Sequence, residues 1–166
     1  MIIRHETASD REAVFRVEHE AFGRAEEARL VDLLRANGKS LLSLVAEQDG
    51  EVIGHVMFSP MTIEGKESYP AVCLGPIAVL PARQRQGIGD SLIEAGLASL
   101  RAGGHRAVFL QGHPAYYPRF GFRPAREFDV HLGEDRDAFM IIELYPGALD
   151  GVSGWVKYAE EFDRFT

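Results

Sequence analysis

The chain has 166 residues, 46% hydrophobic and 26% charged, with a formal net charge of −7. That size suits one domain able to bury its own core, and the acidic balance argues against a phosphate-backbone partner, so no nucleic acid is expected. A single cysteine, Cys73, excludes an internal disulfide and any CxxC metal or redox motif. No apolar run reaches a membrane span or secretory leader, so a cytoplasmic protein with no metal and no membrane partner is expected.

Residues 1–5 read as a short strand. Ser9-Asp10-Arg11-Glu12 has the form of a capping box that opens a helix, with Val14, Val17 and Ala21 following at helical spacing. A second helix is predicted over 25–36, with Leu30, Val31 and Leu34 inward and Asn37-Gly38 as its stop. Leu42, Leu44 and Ala46 alternate as in a strand. Asp49-Gly50 then signals a tight hairpin, because such turns need positive φ. The partner strand covers about 51–61, Glu64-Gly65 turns the chain, and a third strand covers about 70–80. The strongest helix runs over 87–102, with Ile88, Leu92, Ile93, Leu97 and Leu100 on one face and Gly103-Gly104 at its end. A strand over 107–110, a short helix over 115–120 and strands over 122–130 and 138–145 complete the core. In the tail, Val152, Trp155 and Val156 predict packing.

The stretch from Leu74 to Gly89 carries the chemistry. An apolar strand ends at Pro81, a basic segment follows, and two glycines lead into the strongest helix. Amides in the first turn of a helix lack intrahelical partners, and that end carries the positive pole of the dipole. Aimed at one point, they bind a phosphate. Gly87 and Gly89 let an anion approach the backbone, while Arg83 and Arg85 add positive charge. The dinucleotide fingerprint fails for want of its third glycine, and no Walker loop is present.

Gln84-Arg-Gln-Gly-Ile-Gly89 resembles the Q/R-x-x-G-x-G/A motif of the GNAT acetyltransferases. The resemblance implies a GNAT fold of the α/β (α+β) class. Its central mixed, mostly antiparallel twisted sheet has about seven strands, flanked by about four helices and splayed at the cofactor site. It implies one acetyltransferase domain over 1–166, with a core of about 2–145 and a packed tail. Acetyl-coenzyme A is then the acyl donor. Gln84, Arg85, Gln86, Gly87, Ile88 and Gly89 would hold its pyrophosphate, and Ile77, Ala78 and Val79 would face the pantetheine arm. Pro76 suits a splayed strand, because proline cannot donate to a ladder.

Gly112-His-Pro-Ala-Tyr-Tyr-Pro-Arg-Phe-Gly-Phe122 resembles the family's Y-x-x-x-G-F segment, with Tyr117 in register. The resemblance makes Tyr117 the general acid that protonates the leaving thiolate, with Tyr116 as its rival. A loop asparagine common in the family is replaced here by His113-Pro114. This block and Glu143-Leu-Tyr-Pro-Gly-Ala-Leu149 look like a bacterial branch of predicted acetyltransferases, the YhbS-like proteins.

The implied reaction is direct attack of a primary amine on the thioester within a ternary complex, with the Val79 amide stabilising the oxyanion. The strand over 71–80 offers no carboxylate, so the base is left among Glu20, Glu26, Glu27, His55 and a water relay. Cys73 reads as a small buried residue, not a nucleophile. The acceptor, a small-molecule or protein amine, would meet residues 22–30 and a hairpin around 128–140, where Asp129, Glu134, Asp135 and Asp137 are acidic. A non-catalytic acyl-coenzyme A sensor on the same fold is the alternative. An unrelated nucleotide-binding protein is a more distant one. A monomer or a homodimer is expected.

Overall fold

The structure, a computed structural model, describes residues 1–133 and 137–165. The elements follow in the order β1 (Ile2–His5), α1 (Arg11–Phe22), α2 (Glu26–Ala36), β2 (Leu42–Gln48), β3 (Glu51–Ile63), β4 (Ala71–Val79), α3 (Ile88–Ala102), β5 (Ala107–Gln111), β6 (Arg123–Pro124), β7 (Val130–His131), β8 (Phe139–Glu143) and β9 (Gly154–Tyr158), with short 3-10 turns between them. Seven strands follow one hydrogen-bonded path, β1-β2-β3-β4-β5-β8-β6, and β7 and β9 branch from it. The described residues hold three α-helices. The expected fourth, over 115–120, is a 3-10 turn at Tyr117–Phe120, with Pro118 inside it and Gly121 in the left-handed conformation ending it.

The chain divides into two compact units. The first comprises residues 1–59, 75–96 and 160 onward, and the second comprises 60–74 and 97–159. In the first, β2 pairs antiparallel with β1 (His5 opposite Leu44) and with β3 (Leu42 opposite Phe58). Asp49 and Gly50 both take positive φ, 54° and 78°, which closes the β2–β3 hairpin as read from the sequence.

Successive side chains of a strand point to opposite faces, and β3 uses both. A Cβ on Gly54 would lie 3.1 Å from Ile88 and Leu92 of α3, and one on Gly96 would lie 2.4 Å from the Phe58 ring. Two glycines thus let α3 press directly onto β3. His55, one residue along, meets Glu18 of α1 on the other face. The buried Leu30, Val31 and Leu34 carry α2 inward as expected.

The start of α1 differs from the sequence reading. The helix begins at Arg11, after a 3-10 turn at Ala8–Asp10. The Asp10 carboxylate accepts from the Thr7 amide at 2.7 Å and the Thr7 hydroxyl at 3.0 Å. The capping residues are therefore Thr7 and Asp10, not Ser9 and Glu12. Asp10 prevails because the Arg4 guanidinium of β1 grips both its oxygens, at 2.7 and 2.9 Å, and holds its carboxyl well below the usual carboxylate range. The first unit also takes in the 3-10 segment Glu160–Phe165. Buried Glu161 accepts from Asn37 Nδ2 and Lys39 Nζ, both at 2.7 Å, and Lys39 lowers its pKa.

In the second unit, β4 and β5 run parallel, pairing only Ala71–Cys73 with Ala107–Phe109. β5 pairs antiparallel with β8, and β6 joins the far side of β8. The strand expected over 122–130 is two short pieces, β6 and β7, separated by a 3-10 turn at Ala125–Glu127. Pro124 is the cause, since it has no amide to continue the ladder. The tail forms β9, which pairs with the end of β3 (Ile63 opposite Val156) and runs parallel to β7. Val156 is buried as expected, whereas Trp155 is 51% exposed.

Candidate active site

The first candidate segment comprises β4 and the head of α3. The β4–β5 ladder stops at Cys73, while β4 continues to Val79. Pro76 lies in this continuation, joined to Gly75 by a cis peptide. Ile77 and Val79 are partly exposed, and Ala78 is buried. Past the strand, the Leu80 amide donates to the Ile53 carbonyl at 2.9 Å. Gln84 Nε2 donates back to the Val79 carbonyl at 3.0 Å. This fastens the loop to the strand end.

Gln84, Arg85, Gln86 and Gly87 are exposed, whereas Ile88 is buried against β3 and Gly89 is partly exposed. Arg85 has φ +63° and Gly87 +81°. A left-handed arginine is costly, since its Cβ crowds the carbonyl, and such residues gather at functional turns. Ser91 donates to the Gly87 carbonyl at 3.1 Å, so the Ile88 and Gly89 amides precede the helical ladder. Arg83 is tied to Gln48 at 3.0 Å. Arg85 makes no ion pair or hydrogen bond among the described residues.

The tyrosine segment belongs to the second unit. Tyr117 is buried, its ring edge-on to Tyr116 at 4.9 Å and to Phe122 at 5.8 Å. Burial pushes its hydroxyl above the ordinary tyrosine value. No hydrogen bond to that hydroxyl is found among the described residues. Tyr116 is engaged differently, with the Arg119 guanidinium 4.5 Å above its ring. A Cβ on Gly112 would come within 2.3 Å of the Tyr117 ring, so this glycine sets where the ring lies. Gly112→Ala is expected to displace Tyr117 and to destabilise the protein by about 1–3 kcal/mol, measured by urea unfolding. Unchanged stability would show that the ring has room to move. His113 is exposed, and its carbonyl accepts the Tyr116 amide at 3.0 Å.

Among the base candidates, Glu20 is exposed. Glu27 accepts two hydrogen bonds from Arg24, at 3.0 and 2.6 Å, and Glu26 lies 3.6 Å from the same guanidinium. His55 has no exposed surface and both ring nitrogens are engaged, so it cannot touch an acceptor. Of the acidic loop, Asp129 and Asp137 are exposed, at 80% and 67% of their side chains, and Glu134 and Asp135 lie outside the described residues. The described residues hold no group of three or more side chains suited to a metal, and none of their helices is long and apolar enough to cross a membrane.

Comparison with known proteins identifies the family. Residues 2–125 match the acetyltransferase (GNAT) domain. The N-acetyltransferase YhbS of Escherichia coli K12 is 39% identical over 168 residues, covering 99% of this chain and 100% of that protein. The crystal structure of E. coli YhbS in complex with CoA superposes with TM-score 0.94 at 38% identity, covering 99% of this chain and 93% of that one. A GNAT family acetyltransferase from Brucella melitensis, solved in complex with acetyl-CoA, gives TM-score 0.83 at 40% identity, covering 98% and 97%. The relatives with which the chain aligns are named as N-acetyltransferases, which favours the enzyme over the sensor. The chain belongs to the GNAT family of acetyltransferases.

Proposed function

We propose that the protein transfers an acetyl group from acetyl-coenzyme A to a primary amine, by direct attack within a ternary complex, and that the whole chain acts as one acetyltransferase domain in the cytoplasm. The loop at the head of α3 carries this reading. Arg85 and Gly87 both take left-handed backbone, and the Ile88 and Gly89 amides lead the helix. That arrangement suits a pyrophosphate, bound by backbone N–H groups from Gln84 to Gly89. The relatives solved with CoA and acetyl-CoA support the same ligand.

The backbone of Ile77, Ala78 and Val79, past the end of the β4–β5 ladder, would pair with the pantetheine arm. The Val79 amide would donate to the thioester oxygen as negative charge develops there. The amine nitrogen bonds to the acetyl carbon, the carbon–sulfur bond breaks, and Tyr117 gives its proton to the departing sulfur. The amine loses its own proton to Glu20, Glu26, Glu27 or ordered water. Positioning the two reactants supplies much of the rate.

The test is a panel of primary amines, including polyamines, aminoglycosides, amino acids and lysine peptides, followed by release of free thiol from acetyl-coenzyme A. Amine-dependent thiol release with a matching acetylated product is the expected result. Tight acetyl-coenzyme A binding with no turnover on any amine would favour the sensor instead.

A further inference from the structure

The first unit encloses a buried polar network. His55 of β3 and Glu18 of α1 have no exposed surface, and His55 Nδ1 lies 2.7 Å from Glu18 Oε2. On the other side of the ring, Nε2 lies 2.8 Å from Ser43 Oγ of β2. The Ser43 hydroxyl donates to Glu6 Oε1 at 2.8 Å. Glu6 Oε2 accepts from Arg35 of α2 at 2.5 Å, and Arg35 also donates to Asp32 at 2.8 Å. Carboxylate, imidazole and hydroxyl stand in the order of an acyl-transfer triad. Ser43 is nevertheless no activated nucleophile, because its proton is committed to Glu6.

Counting hydrogens assigns the protons. A serine hydroxyl has one hydrogen to give, and Ser43 gives it to Glu6 Oε1, while the other oxygen of Glu6 accepts from Arg35. Ser43 Oγ must then accept from His55, so Nε2 carries a hydrogen. In a neutral imidazole Nδ1 is therefore an acceptor, and the group it faces is Glu18. A charged pair would leave Glu18 Oε1, which has no partner among the described residues, as a buried anionic oxygen without a donor. A carboxylic acid leaves only a neutral carbonyl oxygen there. Burial favours the neutral acid most strongly, His55 opposes it, and the charge of Glu27 on α2 adds to burial.

We infer that Glu18 is a neutral carboxylic acid in the core at neutral pH, donating to His55 Nδ1, and that its ionisation on the alkaline side is a built-in switch that loosens α1 from β3. The charged groups facing the pair are Glu27 directly and, through Ser43, Glu6 with Arg35 and Asp32. Because the folded value lies above the unfolded one, the stabilisation is complete below the ordinary carboxylate range and is lost as pH rises through the folded value. Between those limits folding takes up one proton.

Glu18→Gln is the test, because its amide N–H can donate to Nδ1 as the acid O–H does. Urea unfolding followed from pH 5.5 upward should show the wild-type unfolding constant rising with pH relative to the variant, by up to about tenfold per pH unit until the folded value is passed. Hydrogen exchange, corrected for intrinsic rates, should show α1 losing protection relative to α3 with rising pH in the wild type only. Imidazole 15N spectra of the wild type should show His55 protonated at Nε2 alone near pH 7. This last measurement stands even if the variant does not fold. A His55 imidazolium at pH 7, an equal pH slope in both proteins, or α1 protection that ignores pH in the wild type would overturn the inference.

Discussion

Titrated with acetyl-coenzyme A in a calorimeter, the Gly89→Glu variant is expected to bind at least ~100-fold more weakly than the wild type, about 2.7 kcal/mol. Gly89 sits in the first turn of α3, one residue past buried Ile88. A glutamate there sets a side chain and a negative charge where the proposed phosphate would lie against the positive end of the helix. The helix itself should tolerate the change, because an acidic residue in the first turn complements its dipole. The thermal midpoint of the variant should therefore remain close to that of the wild type. A folded wild-type protein that fails to bind acetyl-coenzyme A would return the loop to the role of a tight strand-to-helix turn.

Tyr117→Phe should lower kcat by ~10²-fold or more while leaving the KM for acetyl-coenzyme A nearly unchanged, the signature of a lost general acid. Phenylalanine keeps the ring contacts with Tyr116 and Phe122 and removes only the hydroxyl. Tyr116→Phe is the control. Its ring can still stack under Arg119, so kcat should stay near the wild-type value. Since burial raises the Tyr117 hydroxyl above its ordinary value of ~10, the wild type should keep this acid protonated through pH 9. Equal losses in the two variants would remove the distinction drawn between the tyrosines.

The strand–loop–helix placement of Gln84–Gly89 was legible in the sequence because its glycines and glutamine occur between an apolar strand and the most regular helix of the chain. Gln84 bonding to the Val79 carbonyl was not, since that contact depends on how the strand ends. The hairpin at Asp49-Gly50 and the stop at Asn37-Gly38 are local signals, and both Gly50 and Gly38 take positive φ. The capping residues of α1 were misplaced by two positions because Arg4, on another strand, decides between two plausible boxes. β6 and β7 read as one strand because apolar alternation passes through Pro124, yet the ladder does not. His55 was read only as a candidate base and Glu18 was not singled out, although it stands four residues after Val14 on the buried stripe of α1. Their pairing across 37 positions leaves no local trace, and a lone polar residue on an apolar stripe does not announce its partner.

The first unit draws on three separated stretches of chain, and the last begins at residue 160. On a ribosome, Asn37 and Lys39 emerge long before Glu161, the buried carboxylate they hold. The end of α2 must therefore wait, with those donors facing water, until Glu161 has been made. Everything the second unit needs, residues 60–74 and 97–159, is synthesised inside that interval. Closure of the α2 clasp thus follows synthesis of the whole second unit, and a ribosome stalled before the codon for Glu161 would display α2 without the carboxylate that clasps it.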